Sequence, residues 1–461
     1  MKKPIIIGAF LTVVTAVAVL FGQNPDFTVN IVGTGGKPAL AVIEFRGAGA
    51  AQQYMAAFNA TLNADLQDSA LFDLRPKSFF PKSNPQAATD LRPEDAGAGY
   101  ALQDWAGAPV NASHLVFGYA AVTNNGLFVL NGNVYDTRVK DIQSAKMFAQ
   151  NYPDAVTEAG AIKVAHAFAA DIIQKFGGTT SLLNSRIYFT SNREATGQYG
   201  TEIWVMDWDG KNQKRLTSLK GQIADPTISP DGSRLAFTIW PGTSSPQPRI
   251  GMVSSDTGRS YPFYNQEASI NATPTFTPDG THILYSSSAS NEPQIYSAEI
   301  NGRNFNRLTS TKGNPTEPKV NPKNPDSLLF VQGFQNEQIY RMNAEGAGIE
   351  RLTNGEGEAS NPAWSPDGKF VAFAWTRGYQ SGKFNIFVID IGAPQKYQQL
   401  THGEGYERNE NPTWAPDGIH IVFMRTVNRG SPQIYTMLAN GTQVKQLTTQ
   451  GSNKYPVWGV K

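Results

Sequence analysis

Five histidines, His114, His166, His282, His402 and His420, are the side chains of this sequence best suited to proton transfer or metal ligation. Their spacing assigns them neither role. None belongs to a His-Glu-x-x-His helix, in which two imidazoles one turn apart share a zinc ion; His402 with Glu404 is the one close pair. A hydrolytic serine needs a strained elbow, and no Gly-x-Ser-x-Gly occurs. The stretch GTGGKP, Gly33 to Pro38, resembles a phosphate loop. It lacks the hydroxyl residue after the lysine and the spacing to the first glycine, so it reads as a turn between strands. Asp231, Asp279, Asp367 and Asp417 are conceivable cation ligands, but each stands in Pro-Asp-Gly, where turn geometry accounts for it. The absence of cysteine removes disulfides, thiolate metal sites, cysteine nucleophiles and a lipid-modified N-terminal cysteine. Neither a metal nor a cofactor is expected.

The 461 residues suit two or three domains, and 39 basic against 38 acidic residues leave no field to draw nucleic acid. Lys2 and Lys3 precede an apolar run from Ile5 to Phe21, the pattern of a secretory signal in residues 1–22. Cleavage falls near 18–22: Ala16-Val17-Ala18 satisfies the small-residue rule inside the run, and Gly22 ends it. An uncleaved anchor is the alternative, since a spanning helix needs about 20 residues.

The rest is dominated by one repeated hairpin. NPAWSPDGKFVAFAW, from Asn361 to Trp375, has relatives in DPTISPDGSRLAFT, TPTFTPDGTHILYSS, EPKVNPKNPDSLLFVQ and NPTWAPDGIHIVFMR. With the terminal YPVWGVK, the opening prolines stand at 226, 274, 318, 362, 412 and 456, a period of 44 to 50 residues. Pro presets the first turn angle, Asp tolerates the next, and Gly supplies the left-handed residue of a bulged three-residue loop. Flanking β-branched and aromatic residues such as Leu235, Phe237, Ile283, Tyr285, Val371 and Phe373 indicate strands. A second hairpin follows in each unit, with Asp209-Gly210, Asn301-Gly302 and Asn440-Gly441 as two-residue turns and Leu-Thr at its end, except in the unit ending TGRSYPFYN. Four strands per unit at this period define propeller blades. The last unit is a lone first strand at Val457-Trp458, and the unit from Asn184 lacks its first strand. Pairing these two segments gives a six-bladed β-propeller over 185–461, closed by the C-terminal strand in the first blade.

Residues 26–178 follow another pattern, that of a small α/β domain. PALAVIEF reads as a strand, and Met55, Phe58, Leu62 and Leu66 as a helical stripe. HLVFGYAAV, LFVLNGNVY and SAKMFAQNY form a meander. A last helix beginning near Pro153 turns Val156, Ile162, Phe168, Ile172 and Phe176 inward and ends at Gly177-Gly178. Residues 179–184 make a short hinge.

This order of signal, α/β domain and blades with Pro-x-Trp-Ser-Pro-Asp-Gly hairpins resembles the TolB family, periplasmic propellers of the Tol-Pal envelope system. The resemblance implies a non-enzymatic, monomeric scaffold in the periplasm. It would bind the peptidoglycan-associated lipoprotein Pal at one propeller mouth and TolA of the inner membrane through the segment after the signal. By that resemblance the Pal-facing positions lie in the loops leading into each innermost strand: Asp225, Thr273, Glu317, Asn361, Asn411 and Tyr455, with Glu407, Arg408 and Glu410 in the charged loop GEGYERNEN. The TolA-facing segment runs from Asp26 to Val32 and includes Phe27, Val29 and Ile31. Independently of the family, six loops at one end of a rigid wheel form a ring able to face one partner; alternatively, polar residues before proline only satisfy turn backbone. Trp364, Trp414 and Trp458 are expected to pack between blades. An enzyme of lactonase or lyase type would need acids on the innermost strands, and PTIS, PTFT, PKVN, PAWS, PTWA and PVWG bring none. A carbohydrate-binding propeller remains a further alternative.

Overall fold

The computed structural model describes residues 36–93, 99–183, 185–194, 200–242, 247–267 and 269–460. The expected signal segment and the positions Asp26, Phe27, Val29 and Ile31 lie outside the described residues. No helix among the described residues is long and apolar enough to cross a membrane.

The N-terminal region is a mixed sheet with strand order Asp73–Leu74, Ala39–Val42, His114–Val122, Leu127–Asp136, Lys146–Ala155. The pairs made by Ala39–Val42 are parallel and the three long strands form the antiparallel meander. Helices Met55–Asp68 and Glu158–Lys175 pack together on one face, where Met55, Phe58, Leu62 and Leu66 are buried. The other face is covered by an irregular segment anchored by the fully buried Trp105.

Two details differ from the pattern expected here. Pro153 opens no helix; it lies in Lys146–Ala155, opposite Val129. That strand is the outer edge of its sheet, where a residue without an N–H costs no ladder bond. The helix starts at Glu158, capped by Thr157, whose hydroxyl accepts from Gly160 N. Its buried face is accordingly Ala161, Val164, Ala165, Phe168, Ala169, Ile172 and Ile173, with Ile162 only half-buried on its flank.

Among the described residues the propeller comprises six four-stranded antiparallel sheets. In chain order, blades 1 to 5 begin with innermost strands Gln222–Ile228, Asn271–Phe276, Thr316–Val320, Ala359–Trp364 and Arg408–Trp414. Blade 6 takes its innermost strand, Asn453–Val460, from the C-terminus and the other three from Ser185–Ser191 onward. Trp458 pairs with Ile187 and Val457 with Tyr188, which closes the ring.

Blade 3 keeps four strands without Ser-Pro-Asp-Gly, because Asn321 N donates to Ser327 O across the longer turn. The Asp-Gly and Asn-Gly turns are not the two-residue type. Gly210, Gly302 and Gly441 have positive φ but the preceding Asp209, Asn301 and Asn440 do not. Gly210 N reaches back to Asp207 O, Gly302 N to Glu299 O and Gly441 N to Leu438 O, the hydrogen bond of a type I turn followed by a left-handed glycine. The α/β region seats against the face bearing the Ser-Pro-Asp-Gly turns: Lys445 Nζ lies 3.3 Å from Asp68 Oδ2, and Leu183 packs against both cores.

Candidate functional site

Each innermost strand contains one proline, and proline cannot donate to the ladder. The register therefore slips at that point in all six blades, leaving a bulge. The residue before the proline absorbs the slip. Asp225, Thr273, Glu317, Asn361, Asn411 and Tyr455 all take the left-handed conformation, with φ from 50° to 54°. Six non-glycine residues in that region, at a cost of order 1 kcal/mol each, persist only where their surroundings hold them.

The holding is done from blade to blade. Glu317 N donates to Thr273 Oγ1 at 3.1 Å, Asn361 N to Glu317 Oε2 at 2.7 Å, and Asn411 N to Asn361 Oδ1 at 3.4 Å. Thr273 N instead meets Thr238 Oγ1 at 2.8 Å, and Thr238 in turn reaches Asp225. Along this arc each side chain secures the backbone of the following blade. On the remaining arc, Asn411, Tyr455 and Asp225, no such bond joins neighbours among the described residues. There the side chains of Asn411 and Tyr455 keep hydrogen-bonding capacity for another molecule.

All six residues line one axial cavity of about 370 Å³, which runs from this ring down to Pro230, Pro322, Pro366 and Pro416 of the turns. Their position corrects the loop assignment. They are inside the innermost strands, recessed below the mouth, because pairing begins two to four residues ahead of each proline. The same observation revises the statement that the innermost strands carry no acids: that holds only after the proline, and Asp225 and Glu317 stand before it in the channel. Lys319, on the strand of Glu317, joins them.

Burial pushes the Glu317 carboxyl up to about 7, and neighbouring Asp225 adds to the effect. Burial likewise raises Asp225 and lowers Lys319, while the hydroxyl of Tyr455 is pushed up to about 12 by burial and by Asp225, Glu410 and Glu317. A carboxyl near neutrality beside a buried lysine is able to exchange protons. Both Glu317 oxygens, however, are engaged by the backbone N and side-chain Nδ2 of Asn361.

Glu407, Arg408 and Glu410 do not line the cavity; they stand at the mouth above it. Arg408 pairs with Glu410 at 2.7 Å, and Glu407 with Arg425 at 3.2 Å. Arg408, Glu410 and Asn411 lie within the strand Arg408–Trp414, so the loop proper is shorter than the charged run.

The rim carries residues that charge-based reading missed. Phe334 is 72% exposed and Tyr406 55% exposed, with Ile270 and Val427 also open to solvent. The Tyr406 ring carries the Arg429 guanidinium 4.0 Å from its centre. Tyr406 lies inside the charged run itself, and an aromatic residue in a short polar loop was the available signal.

Trp364, Trp414 and Trp458 are 9%, 5% and 5% exposed, and each joins the cores of two adjacent blades. The turn aspartates accept from their own turns: Asp231 from Ser229 and Ser233, and Asp279 from Thr277 and Thr281, which hold it down at about 2. His166 pairs with Asp65 and His420 with Asp417, each at 2.7 Å. His402 and Glu404 are exposed, and among the described residues no three His, Cys, Asp or Glu side chains are grouped to hold a metal ion.

Three comparisons bear on this architecture. TolB from Acinetobacter baumannii superimposes with a TM-score of 0.70 over 92% of this chain and 97% of its own, at 19% identity, which speaks for the fold alone. Among curated proteins, the Protein TolB homolog of Chlorobium chlorochromatii (strain CaD3) is 29% identical over 200 residues, covering 43% of this chain and 42% of the relative. That of Chlorobaculum tepidum is 27% identical over 265 residues, covering 58% and 54%. These alignments thus span about half of the relatives' own length. A profile described as the TolB beta propeller domain matches residues 173–379 and 352–461, more than half of the chain and every blade. By its six bladed sheets, its strand closure and this match, the chain belongs to the TolB β-propeller family.

Proposed function

We propose that this protein is a non-enzymatic scaffold of the periplasm that binds a Pal-like peptidoglycan-associated lipoprotein at the loop-bearing mouth of the propeller. In the same reading it contacts a TolA-like inner-membrane protein through Asp26 to Val32, acts as a monomer, and serves envelope integrity and cell division. The observation that carries the reading is the rim: exposed Phe334 and Tyr406 on a rigid wheel, above a ring with unused polar groups and on the face opposite the α/β region. Exposed aromatics on a stiff support are the usual anchors of a protein interface. Lys2, Lys3 and the apolar run from Ile5 to Phe21 support export.

The test is titration of the cognate lipoprotein into the purified protein. A one-to-one complex is expected, weakened at least tenfold by Tyr406→Ala or Phe334→Ala and also by charge reversal at Glu407. Deleting residues 26–32 should leave that complex intact and abolish contact with the TolA-like partner. Undiminished lipoprotein binding in both aromatic variants would move the site off the rim. A glycan array run alongside separates this reading from a carbohydrate-binding propeller.

A further inference from the structure

The seam between blades 2 and 3 holds a second cavity, of about 380 Å³, which shares Val320 with the lining of the axial channel. Its floor is Leu284, Leu308, Val320 and Leu328, and its walls include His282, Ser297 and Asn306. The repeat shows why it is there. At the seam between blades 5 and 6, the equivalent positions enclose a space of only about 20 Å³. His420 stands there for His282, each at the start of a second strand; Thr436 stands for Ser297, each fourth in a third strand; and Leu447 stands for Leu308. Asp68 of the α/β region also lines the smaller space, and within the blades the difference is greatest at two positions. Trp458, second after its proline, has Val320 as its counterpart, and Trp208, the first central residue of its turn, has Ala344. Two indole rings that fill one seam are missing from the other.

Other seams show the same position occupied. Trp364, Trp414 and Phe276 fill theirs with rings. Ile228, the second aliphatic residue at this place, is packed onto Gly459, with its Cδ1 2.4 Å from where a Cβ of Gly459 would stand. Val320 packs against the core of Leu284 and Leu328 but, among the described residues, meets no glycine as Ile228 does, and His282 is exposed whereas His420 is 7% exposed.

We propose that this seam is a binding site for a neutral planar aromatic group of indole size. The chain itself supplies the precedent, since indoles lie between its blades, two of them with the N–H bonded, Trp458 Nε1 to Ser185 Oγ and Trp364 Nε1 to Lys319 O, while the buried Nε1 of Trp414 has no partner among the described residues. The lining contains no Asp, Glu, Lys or Arg, so a charged ligand would find no counter-ion. Among the described residues neither Ser297 Oγ nor the Asn306 side chain has a hydrogen-bond partner, and either oxygen can accept from an indole N–H. A preformed cavity with an apolar floor and a few polar groups on its walls suits an amphipathic aromatic ring when its lining cannot collapse, and a closed ring of blades resists collapse. The site is distinct from the mouth, since none of Phe334, Tyr406, Glu407, Arg408 and Glu410 lines it.

The experiment measures thermal unfolding of the full chain with free indole as the probe. Indole should raise the Tm of the wild type by about 1–3 °C. Val320→Trp, which restores the ring found in other seams, should raise the Tm without ligand and remove the response to indole. Ala344 is exposed on a turn, so Ala344→Trp tests the same blockage without touching the core, should Val320→Trp not fold. N-acetyl-tryptophanamide identifies the source: binding at least as tight as indole assigns the site to a tryptophan side chain of a partner, and exclusion of the amide with retention of indole assigns it to a small molecule. No shift in the wild type, or an equal shift in the wild type and Ala344→Trp, overturns the proposal.

Discussion

Glu317 illustrates what a single buried carboxylate imposes on the channel. Its folded-state pKa of about 7 exceeds the ordinary 4.5, so between those values the folded protein binds more protons than the unfolded chain. Stability must therefore fall as pH rises from about 4.5 to about 7. Asp225, Lys319, Tyr455 and Glu337 are the titratable groups whose fields act on or alongside it, and among them only Lys319 favours the ionised form. Glu317→Gln keeps an oxygen for Asn361 N and removes the proton uptake. The variant should show a flatter dependence of Tm on pH across this window than the wild type, with the gap between them growing toward pH 7. Parallel curves would place the titration elsewhere. Reading residues alone found Glu317 and Asp225 as ring members but missed Lys319, because a lysine after proline in one repeat of six reads as a divergence, and only the closed ring turns it toward two acids.

At the scale of the strand, the recurring Leu-Thr acquires a mechanical meaning. Thr217, Thr309, Thr353, Thr401 and Thr448 each donate to a side-chain oxygen opening the third strand and accept the next residue's N–H. The end of each blade is thereby stapled to its centre. Blade 1 has no Leu-Thr, and Asn265 replaces it, bonding both N and O of Ile250. Thr353→Val preserves shape but strands the buried N–H of Ile339 and the Gln338 amide oxygen. A loss of about 1–3 kcal/mol is expected in denaturant unfolding, and a change under about 0.5 kcal/mol would show that the staple contributes no stability. The repeat of Leu-Thr was legible in the sequence and its substitute was not, since Asn265 works only in the register the strands adopt. Pro153 was misread for a related reason: proline suits a helix start and a sheet edge equally well, and the neighbour that makes a strand an edge is distant in sequence. The recessed ring escaped because a proline marks a strand start as readily as a bulge inside one.

For the whole molecule, the blade count and the closure were legible because each depends on a period and on incomplete end units, both properties of the linear chain. What the periodicity could not supply was which seams are full, a matter of two residues from different blades meeting. Closure should also decide whether the wheel exists at all. Residues 453–461 place Trp458 in the core shared with blade 5 and Val457 in the core shared with blade 1. Removing them opens two seams at once and bares the edge of Ser185–Ser191 for pairing with other chains. Trp458→Ala, by contrast, leaves the ladder in place and should cost about 3–5 kcal/mol while the protein still folds. The truncated chain is therefore expected to lose its cooperative propeller transition and to aggregate, and a synthetic peptide of residues 453–461 added in trans should restore the transition in proportion to its concentration. If the truncated protein instead melts at the wild-type temperature and ignores the peptide, five blades hold without the sixth, and the terminal strand is an ornament of the ring instead of its fastener.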